Sequence, residues 1–408
     1  MTNGASKLPV GISPRRAGVT VSGIAAPCPQ TWRRREPLLP PGPEPAFAIA
    51  LSGGGFRATL SGLGVLRFFA AAGLLGHVRV VSSVSGGGVA SGLLATRYGP
   101  VADAGFTLEA FDDHVTRPLV TAISGRSLAW HLVANLWRAL GGKTRTDMLA
   151  DALARWWLGD HLLEDLPLPC RFVINASNLD TSSRYGFERE VIGDTVLGEV
   201  ATAGTGLRVA DAVAASAAFP TVFAPYSPPG VHYPCYDDCG AKLLDGAVYD
   251  NLALDPVENL PDPRRVCLVI LNAGGIFRVG PLTGLPYARN LLRSSAMLYN
   301  ESSAVRMQNM LERFKAFEAA REANALPPDW ARQGVLFGLA TTTDPPAGWT
   351  ATDAADPTSL AFLKTSFGRF TSDQARRLVR RGWWLTGANL IKYYPDLVPH
   401  PPADYVEP

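Results

Sequence analysis

The segment that decides the fold spans residues 46–57 and reads AFAIALSGGGFR. Its first part, 46–51, is an unbroken apolar run, as a strand buried on both faces of a parallel sheet requires. The three glycines at 53–55 then form a turn whose backbone N–H groups can approach an anion closely, because no side chain intervenes. A helix predicted over 56–72 follows and adds the positive end of its dipole. The segment therefore predicts a strand–turn–helix unit of a parallel α/β protein.

A second unit of the same kind follows directly. A short apolar strand is predicted over 77–82, and a helix rich in small residues continues to about residue 98. Between them lies Ser83-Val84-Ser85-Gly86-Gly87, which resembles the nucleophile elbow G-x-S-x-G, a sharp turn that exposes a serine at the end of a strand. Ser83 replaces the first glycine of the elbow, where the crowded backbone requires a small residue. The pattern predicts that Ser85 is the exposed serine.

A third motif lies far downstream, at Asp245-Gly246. The apolar pair Leu243-Leu244 precedes it, so the carboxylate is expected on a tight turn at a strand end. An Asp-Gly pair alone is most often just a turn. A serine hydroxyl, however, needs a neighbouring base to become a nucleophile, and a carboxylate can act as one.

Together, the three motifs resemble the patatin-like phospholipase family over roughly residues 46–275. Two further stretches are similar to the family: 174–181 resembles the strand before its acyl-site region, and 212–220 resembles its alanine-rich helix ending in proline. The resemblance implies a catalytic dyad without histidine. Carried over to this sequence, Ser85 is the nucleophile and Asp245 is the base.

The resemblance also implies an oxyanion hole and a role for one arginine. The backbone N–H groups of Gly53, Gly54 and Gly55 are expected to hold the oxyanion. Arg57 matches the basic residue that follows the glycines in the family, and is expected either to position the loop or to contact a lipid phosphate. A phosphate-binding P-loop would instead need a Gly-Lys-Ser/Thr ending, which this turn lacks.

The expected fold is an α/β protein, namely a three-layer α/β/α sandwich with a mainly parallel central sheet. Residues 1–45 are expected to form an irregular Pro- and Arg-rich N-terminal arm. Residues 46–280 are expected to form the patatin-like catalytic core, with a tryptophan-rich helical insertion at about 101–165. Residues 281–408 are expected to form a mainly helical C-terminal region that packs on the core.

The predicted activity is lipid acyl hydrolysis of the phospholipase A or lysophospholipase kind, through an acyl-serine intermediate. Two alternatives stay open. One is a non-lipid carboxylesterase or acyltransferase on the same site, and the other is a catalytically inactive patatin-like module that binds lipid or a protein.

The expected partner is a phospholipid or other lipid ester, with peripheral membrane contact. The net charge of +2 indicates no bulk attraction to nucleic acid. No cofactor and no metal are expected. Cys235 and Cys239, a C-x3-C pair without a second pair nearby, are read as loop thiols or a local disulfide rather than a zinc site.

A Ser-Asp-His triad is the main alternative to the dyad. In the α/β-hydrolase order, the histidine follows the aspartate along the chain, and His400 is the histidine that follows Asp245. It lies among prolines in the C-terminal tail, where a histidine is usually just exposed. The dyad is therefore favoured.

Two surface features have two interpretations each. The apolar stretch 128–140 is read as a buried helix of the insertion, with a lid or a membrane-touching helix as the alternative. The arginines at 376, 377, 380 and 381 are read as a solvated face, with contact to anionic headgroups as the alternative.

Arg15-Arg16 precede an apolar run too short for a signal peptide, and no run of 18 apolar residues occurs. A location in the cytoplasm or at the membrane periphery is expected, with export by a specialised secretion system as the alternative.

Overall fold

The structure is a computed structural model that describes residues 39–408, with gaps at 136, 138–140, 221, 234–240, 263, 276–285, 348 and 350–356. The strands in the described part are β1 (Ala46–Leu51), β2 (Val78–Val84), β3 (Arg171–Asn178), β4 (Ser183–Phe187), β5 (Val191–Asp194), β6 (Gly198–Ala201), β7 (Leu243–Asp245), β8 (Val266–Asn272) and β9 (Gln333–Gly338). The α-helices are α1 (Gly55–Ala71), α2 (Gly86–Asp103), α3 (Leu108–Phe111), α4 (Arg117–Gly125), α5 (Leu128–Ala134), α6 (Arg145–Leu153), α7 (Val209–Ser216), α8 (Ala247–Asp250), α9 (Pro286–Glu322), α10 (Pro357–Ala361) and α11 (Ser372–Tyr393).

The strands form one sheet in the order β6-β5-β4-β3-β2-β1-β8-β9, with β7 paired to β3 off this path. Four neighbouring pairs are parallel, namely β3–β2, β2–β1, β1–β8 and β8–β9. Four other pairs are antiparallel, namely β3–β4, β4–β5, β5–β6 and β3–β7. This arrangement confirms the predicted α/β fold class, with an antiparallel edge added to the parallel sheet.

The alternation of side chains along β1 shows the three layers directly. Phe47, Ile49 and Leu51 belong to a large apolar cluster that includes side chains of α1, α2 and α11. Ala46, Ala48 and Ala50 point to the opposite face and to a smaller cluster with side chains of α9. Because successive side chains of a strand face opposite sides, both faces of the sheet are covered by helices.

Helix α1 is a central helix of the larger helical layer. Every residue from Gly55 to Ala70 is buried, although the sequence pattern suggests one apolar face. The last helix, α11, packs along it, and the ring of Phe68 lies edge-on to that of Trp383 with 5.9 Å between centroids. The C-terminal region thus covers the helix that starts at the glycine turn.

The C-terminal region also contributes to the sheet. Strand β9 pairs in parallel with β8 and extends the sheet, in a region that the sequence pattern predicts as mainly helical. Its apolar run is only a few residues long, so its periodicity does not separate strand from helix. The expected domain boundary near residue 280, most of the N-terminal arm, and Cys235 and Cys239 lie outside the described residues.

Both preferred surface interpretations need correction. In α5 and just beyond it, Trp130, Val133 and Trp137 are 73%, 55% and 68% exposed, so this stretch is not the buried helix expected. Arg381 is buried and donates to the Leu339 carbonyl at 3.1 Å. The four arginines of this cluster therefore do not share a solvated face. None of the helices in the described ranges has the length and apolarity to cross a membrane.

Candidate active site

Ser85 lies at a strained turn between β2 and α2. Its φ and ψ angles are 52° and −117°, a conformation that costs a non-glycine residue free energy and occurs at functional sites. Such a turn lifts the side chain off the end of the strand, as in a nucleophile elbow. Ser83 is accommodated because its buried hydroxyl pairs with that of Ser91 in α2, 2.6 Å away. The hydrogen bond explains why serine can replace the usual glycine.

The Ser85 hydroxyl donates directly to Asp245. The distance from Oγ to Oδ2 is 2.9 Å, and Asp245 lies at the end of β7. The other carboxylate oxygen, Oδ1, accepts the N–H of Ala247 at 2.9 Å. Residues 160 positions apart therefore form one polar pair.

Burial controls the acidity of the Asp245 carboxyl group. It raises the pKa from 3.8 to about 6, because loss of hydration disfavours the carboxylate more than the hydrogen bonds from Ala247 and Ser85 favour it. A carboxylate with such a pKa is a stronger base than an exposed one and is still mostly ionised at neutral pH. His400 is exposed in the C-terminal tail, and Asp245 occupies the position that a triad gives to histidine.

The glycine turn lies beside the elbow, but its three N–H groups differ. A methyl group placed on Gly53 would come within 3.4 Å of Ser85 Cβ. The N–H of Gly53 donates to the Asn251 carbonyl at 3.1 Å, so it does not point to an incoming oxyanion as expected. For the N–H groups of Gly54 and Gly55, no acceptor occurs in the part of the chain that the structure describes. Gly55 has a φ of 59° and starts α1, so its N–H lies at the positive helix end.

Arg57 is fully enclosed. Its side chain is 1% exposed, and Nε and Nη2 donate to the Ala273 carbonyl at 3.2 and 2.8 Å. Nη1 donates to the carbonyls of Ala361 and Leu363 at 2.9 and 2.8 Å. The guanidinium therefore ties α1 to the end of β8 and to the segment after α10. This geometry supports the positioning role for Arg57 over contact with a lipid phosphate.

Residues 361–370 form what we call the C-terminal strap, which runs across the start of α1. The Ser366 carbonyl accepts the N–H of Phe56 at 3.1 Å, so it caps one of the unpaired donors of the helix. The Phe367 ring lies edge-on to that of Phe56, with 5.2 Å between centroids. Phe370 N–H donates to the Ile123 carbonyl of α4 at 3.4 Å. The strap thus bounds the glycine turn.

Sequence reasoning missed Ser216, which joins the nucleophile and the base. Its hydroxyl accepts the Ser85 N–H at 2.8 Å and donates to the Asn175 carbonyl at 2.6 Å. Its backbone carbonyl accepts the Gly246 N–H at 3.1 Å. The signal in the sequence is a single hydroxyl at the end of the alanine-rich helix, and the residue pattern alone gives it no role.

Tyr299 is a second residue that the motifs did not identify. It lies on α9, and its ring is edge-on to Phe219 at 6.1 Å between centroids. Burial and, to a lesser extent, the negative charge of Asp245 raise its pKa to about 12. The phenol is therefore neutral and lies within electrostatic range of the candidate base.

The chain also matches a model of a known protein family. The family model described as patatin-like phospholipase matches residues 49–257, just over half of the 408-residue chain. The chain belongs to the patatin-like phospholipase family. The match contains Ser85, Asp245, Ser216 and the glycine turn, whereas the strap and Tyr299 lie beyond it.

Solved structures give similarities at low sequence identity. Human GIVD cytosolic phospholipase A2, in complex with methyl gamma-linolenyl fluorophosphonate, aligns with 16% identity and a TM-score of 0.47, over 87% of this chain and 60% of its own. VipD from Legionella pneumophila aligns with 14% identity and a TM-score of 0.34, over 88% of this chain and 68% of its own. This patatin-like chain thus spans about three-fifths of the human enzyme's length. Among curated proteins, none matches it significantly.

Proposed function

We propose that this patatin-like protein is a lipid acyl hydrolase of the phospholipase A or lysophospholipase type, with Ser85 as nucleophile and Asp245 as general base. The observation that carries the proposal is the direct 2.9 Å hydrogen bond between the Ser85 hydroxyl and the Asp245 carboxylate. The strained elbow conformation of Ser85 supports it, because such strain persists where the surrounding structure enforces it. The lipid substrate class is supported by membership of the family.

The reaction begins with attack of Ser85 Oγ on the ester carbonyl, while its proton moves to Asp245 Oδ2. The resulting oxyanion accepts hydrogen bonds from the N–H groups of Gly54 and Gly55. Collapse of this intermediate releases the alcohol, which takes the proton from Asp245, and leaves the acyl group on Ser85. A water molecule then attacks the acyl ester and gives its proton to Asp245. Release of the acid returns the proton to Ser85.

The roles of the surrounding residues follow from their contacts. Ser216 holds the Ser85 amide, and Arg57 with the C-terminal strap holds the start of α1, so neither needs to touch the substrate. Removal of one oxyanion donor typically lowers the rate by about 10²–10³-fold, so small displacements of this turn matter. In this proposal, the C-terminal region completes the catalytic unit.

A fluorophosphonate probe tests the nucleophile most directly, because it reacts with activated serines. We expect labelling of Ser85 in the folded protein, loss of labelling in Ser85→Ala, and retention in Ser83→Ala, which removes the buried hydroxyl two residues earlier. Absence of labelling at Ser85 would refute the hydrolase and favour the lipid- or protein-binding module.

Product analysis tests the substrate class separately. We expect free fatty acid from phospholipid or lysophospholipid vesicles, and no release by Ser85→Ala. Turnover of soluble short-chain esters without turnover of either lipid would instead identify a non-lipid carboxylesterase. Transfer of the acyl group to an added alcohol at the expense of free acid would identify an acyltransferase.

A further inference from the structure

Helix α5 and the residues just after it present an apolar side to the solvent. The exposed residues of this stretch lie at helical spacing, and we call them the α5 face: Ala129, Trp130, Val133, Ala134 and Trp137. Trp130 and Trp137 are 73% and 68% exposed. A helix on a water-exposed surface normally presents polar residues there, so this pattern is the reverse of the usual one. Contiguous exposed apolar surface of this kind marks an interaction site.

The chain around this face is strongly basic. Residues 114–146 contain five cationic side chains and neither Asp nor Glu. The five are Arg117, Arg126, Arg138, Lys143 and Arg145. Arg126, Lys143 and Arg145 are exposed. Two neighbouring acids offset part of this charge, since Asp113 pairs with Arg117 and Asp151 pairs with Lys143 at 2.5 Å. The surroundings of the α5 face therefore favour a negatively charged partner.

The α5 face also lies close to the candidate active site. The N–H of Ala129 donates to the carbonyl of Phe367 in the C-terminal strap at 3.2 Å. On its inner side, the His131 ring contacts Trp156 at 4.9 Å, and Trp156 contacts Trp157 at 5.6 Å. Trp157 in turn contacts Phe56, the residue after the glycine turn, at 5.7 Å. A continuous series of ring contacts thus connects the α5 face to the start of α1.

We infer that the α5 face docks the protein on an anionic lipid surface, with its tryptophans in the headgroup region and its basic neighbours against the lipid charge. This inference builds on the proposed hydrolase, since docking here would place the bilayer beside the glycine turn. Tryptophan prefers the membrane–water interface, and each cation near an anionic surface adds attraction.

Charge favours an anionic bilayer over two other occupants of the α5 face. A second copy of the chain would bring the same basic stretch against itself. Residues 1–38, which lie outside the described part, carry six cations and one acid, and would likewise be repelled. An anionic bilayer matches both the apolar and the charged components.

The test measures vesicle co-sedimentation in a Ser85→Ala background, so that no lipid is hydrolysed and binding is independent of catalysis. Vesicles of phosphatidylcholine alone are compared with vesicles of equal parts phosphatidylcholine and phosphatidylglycerol. We expect binding to the anionic vesicles, weakened by salt, and a loss of about tenfold for each of Trp130→Ala and Trp137→Ala. Trp330→Ala is the matched control, since Trp330 is 55% exposed on the loop before β9.

The outcomes are decisive in both directions. Equal binding to both vesicle types, or equal losses in Trp130→Ala and Trp330→Ala, would overturn the inference. So would a dimer by gel filtration that Trp130→Ala converts to monomer, because the face would then bind a second copy. Binding that behaves as expected, in a protein whose Ser85 resists the fluorophosphonate probe, would retain the surface and reject the hydrolase.

Discussion

The candidate active site is buried and polar, whereas the α5 face is exposed and apolar. At the site, a buried carboxylate and hydroxyl are fixed by hydrogen bonds, and even the Ser85 amide has a partner. At the α5 face, large apolar side chains stand in water without cover. Each arrangement costs free energy of folding, through desolvation at the first and exposed apolar area at the second. Under the two proposals above, the first cost prepares the catalytic step and the second prepares contact with lipid.

The largest expected effect is on catalysis. Asp245→Asn keeps the shape of the side chain but removes the base, so we expect kcat on a short-chain p-nitrophenyl ester to fall by about 10⁴-fold or more, as in triad enzymes. The kcat of Ser85→Ala should fall by the same factor, because the two residues act as one unit. Full activity in either variant would exclude the dyad, and circular dichroism would check that both are folded.

The next effect concerns Arg57 and stability. Arg57→Met removes the donors to three carbonyls, two of them in buried residues, and we expect the free energy of unfolding to fall by about 3 kcal/mol or more. Urea denaturation measures this loss. The control is Arg377→Met, which lies on the surface of α11 in a 3.7 Å pair with Asp373 and should change stability little. Similar losses in both variants would show that the strap does not depend on Arg57.

The raised pKa of Asp245 predicts a dependence on pH. Between pH 3.8 and about 6, the folded protein keeps a proton that the unfolded chain releases, so this group's stabilising contribution is lost as pH rises through that window. Asp245→Asn should therefore be more stable than the native protein at neutral pH, by up to about 3 kcal/mol, with no such gain below about pH 4. Activity should rise with pH through about 6 as the base ionises. Thermal unfolding and kcat/KM profiles measure these changes, and parallel stability curves for both proteins would contradict the assignment.

Ser216 should show a smaller effect. Ser216→Ala leaves the buried N–H of Ser85 without its acceptor, at a cost of about 1–2 kcal/mol. We expect kcat to fall by roughly tenfold, with KM and the pH profile unchanged, because the residue positions Ser85 and does not exchange protons. Ser216→Thr keeps the hydroxyl and should recover part of the rate. A shifted pH profile would instead indicate a direct role in proton transfer.

The smallest effect is expected at the α5 face itself. Trp130→Ser should change the free energy of unfolding by less than about 0.5 kcal/mol, because the exposed ring contributes little to the core. Trp157→Ser, a matched substitution at a buried ring, should cost about 3 kcal/mol or more. Thermal unfolding of the two variants compares the regions directly. A large loss for Trp130→Ser would show that its ring packs against the protein.

The sequence predicts those features that short segments of backbone determine. The strand at 46–51, the elbow at Ser85 and the Asp245-Gly246 turn each follow from local sterics, and all lie where expected. The sequence patterns do not predict contacts between residues that are far apart along the chain. The bond from Ser85 to Ser216 spans 131 positions, and the Ser366 carbonyl reaches a helix more than 300 residues earlier. The exposure of Trp130 was mispredicted, since an apolar stretch reads the same whether it faces the core or the solvent.

The C-terminal strap has a consequence for the order in which the protein is made. Helix α1 leaves the ribosome early, but the carbonyls of Ala361 and Leu363 that bind Arg57, and the Ser366 carbonyl that caps Phe56, are synthesised near the end. Since chains fold from the N-terminus during synthesis, the side of α1 that packs against α11 lacks its partner until the end of translation. The start of α1 therefore lacks its cap and its Arg57 contacts until the last part of the chain has been made.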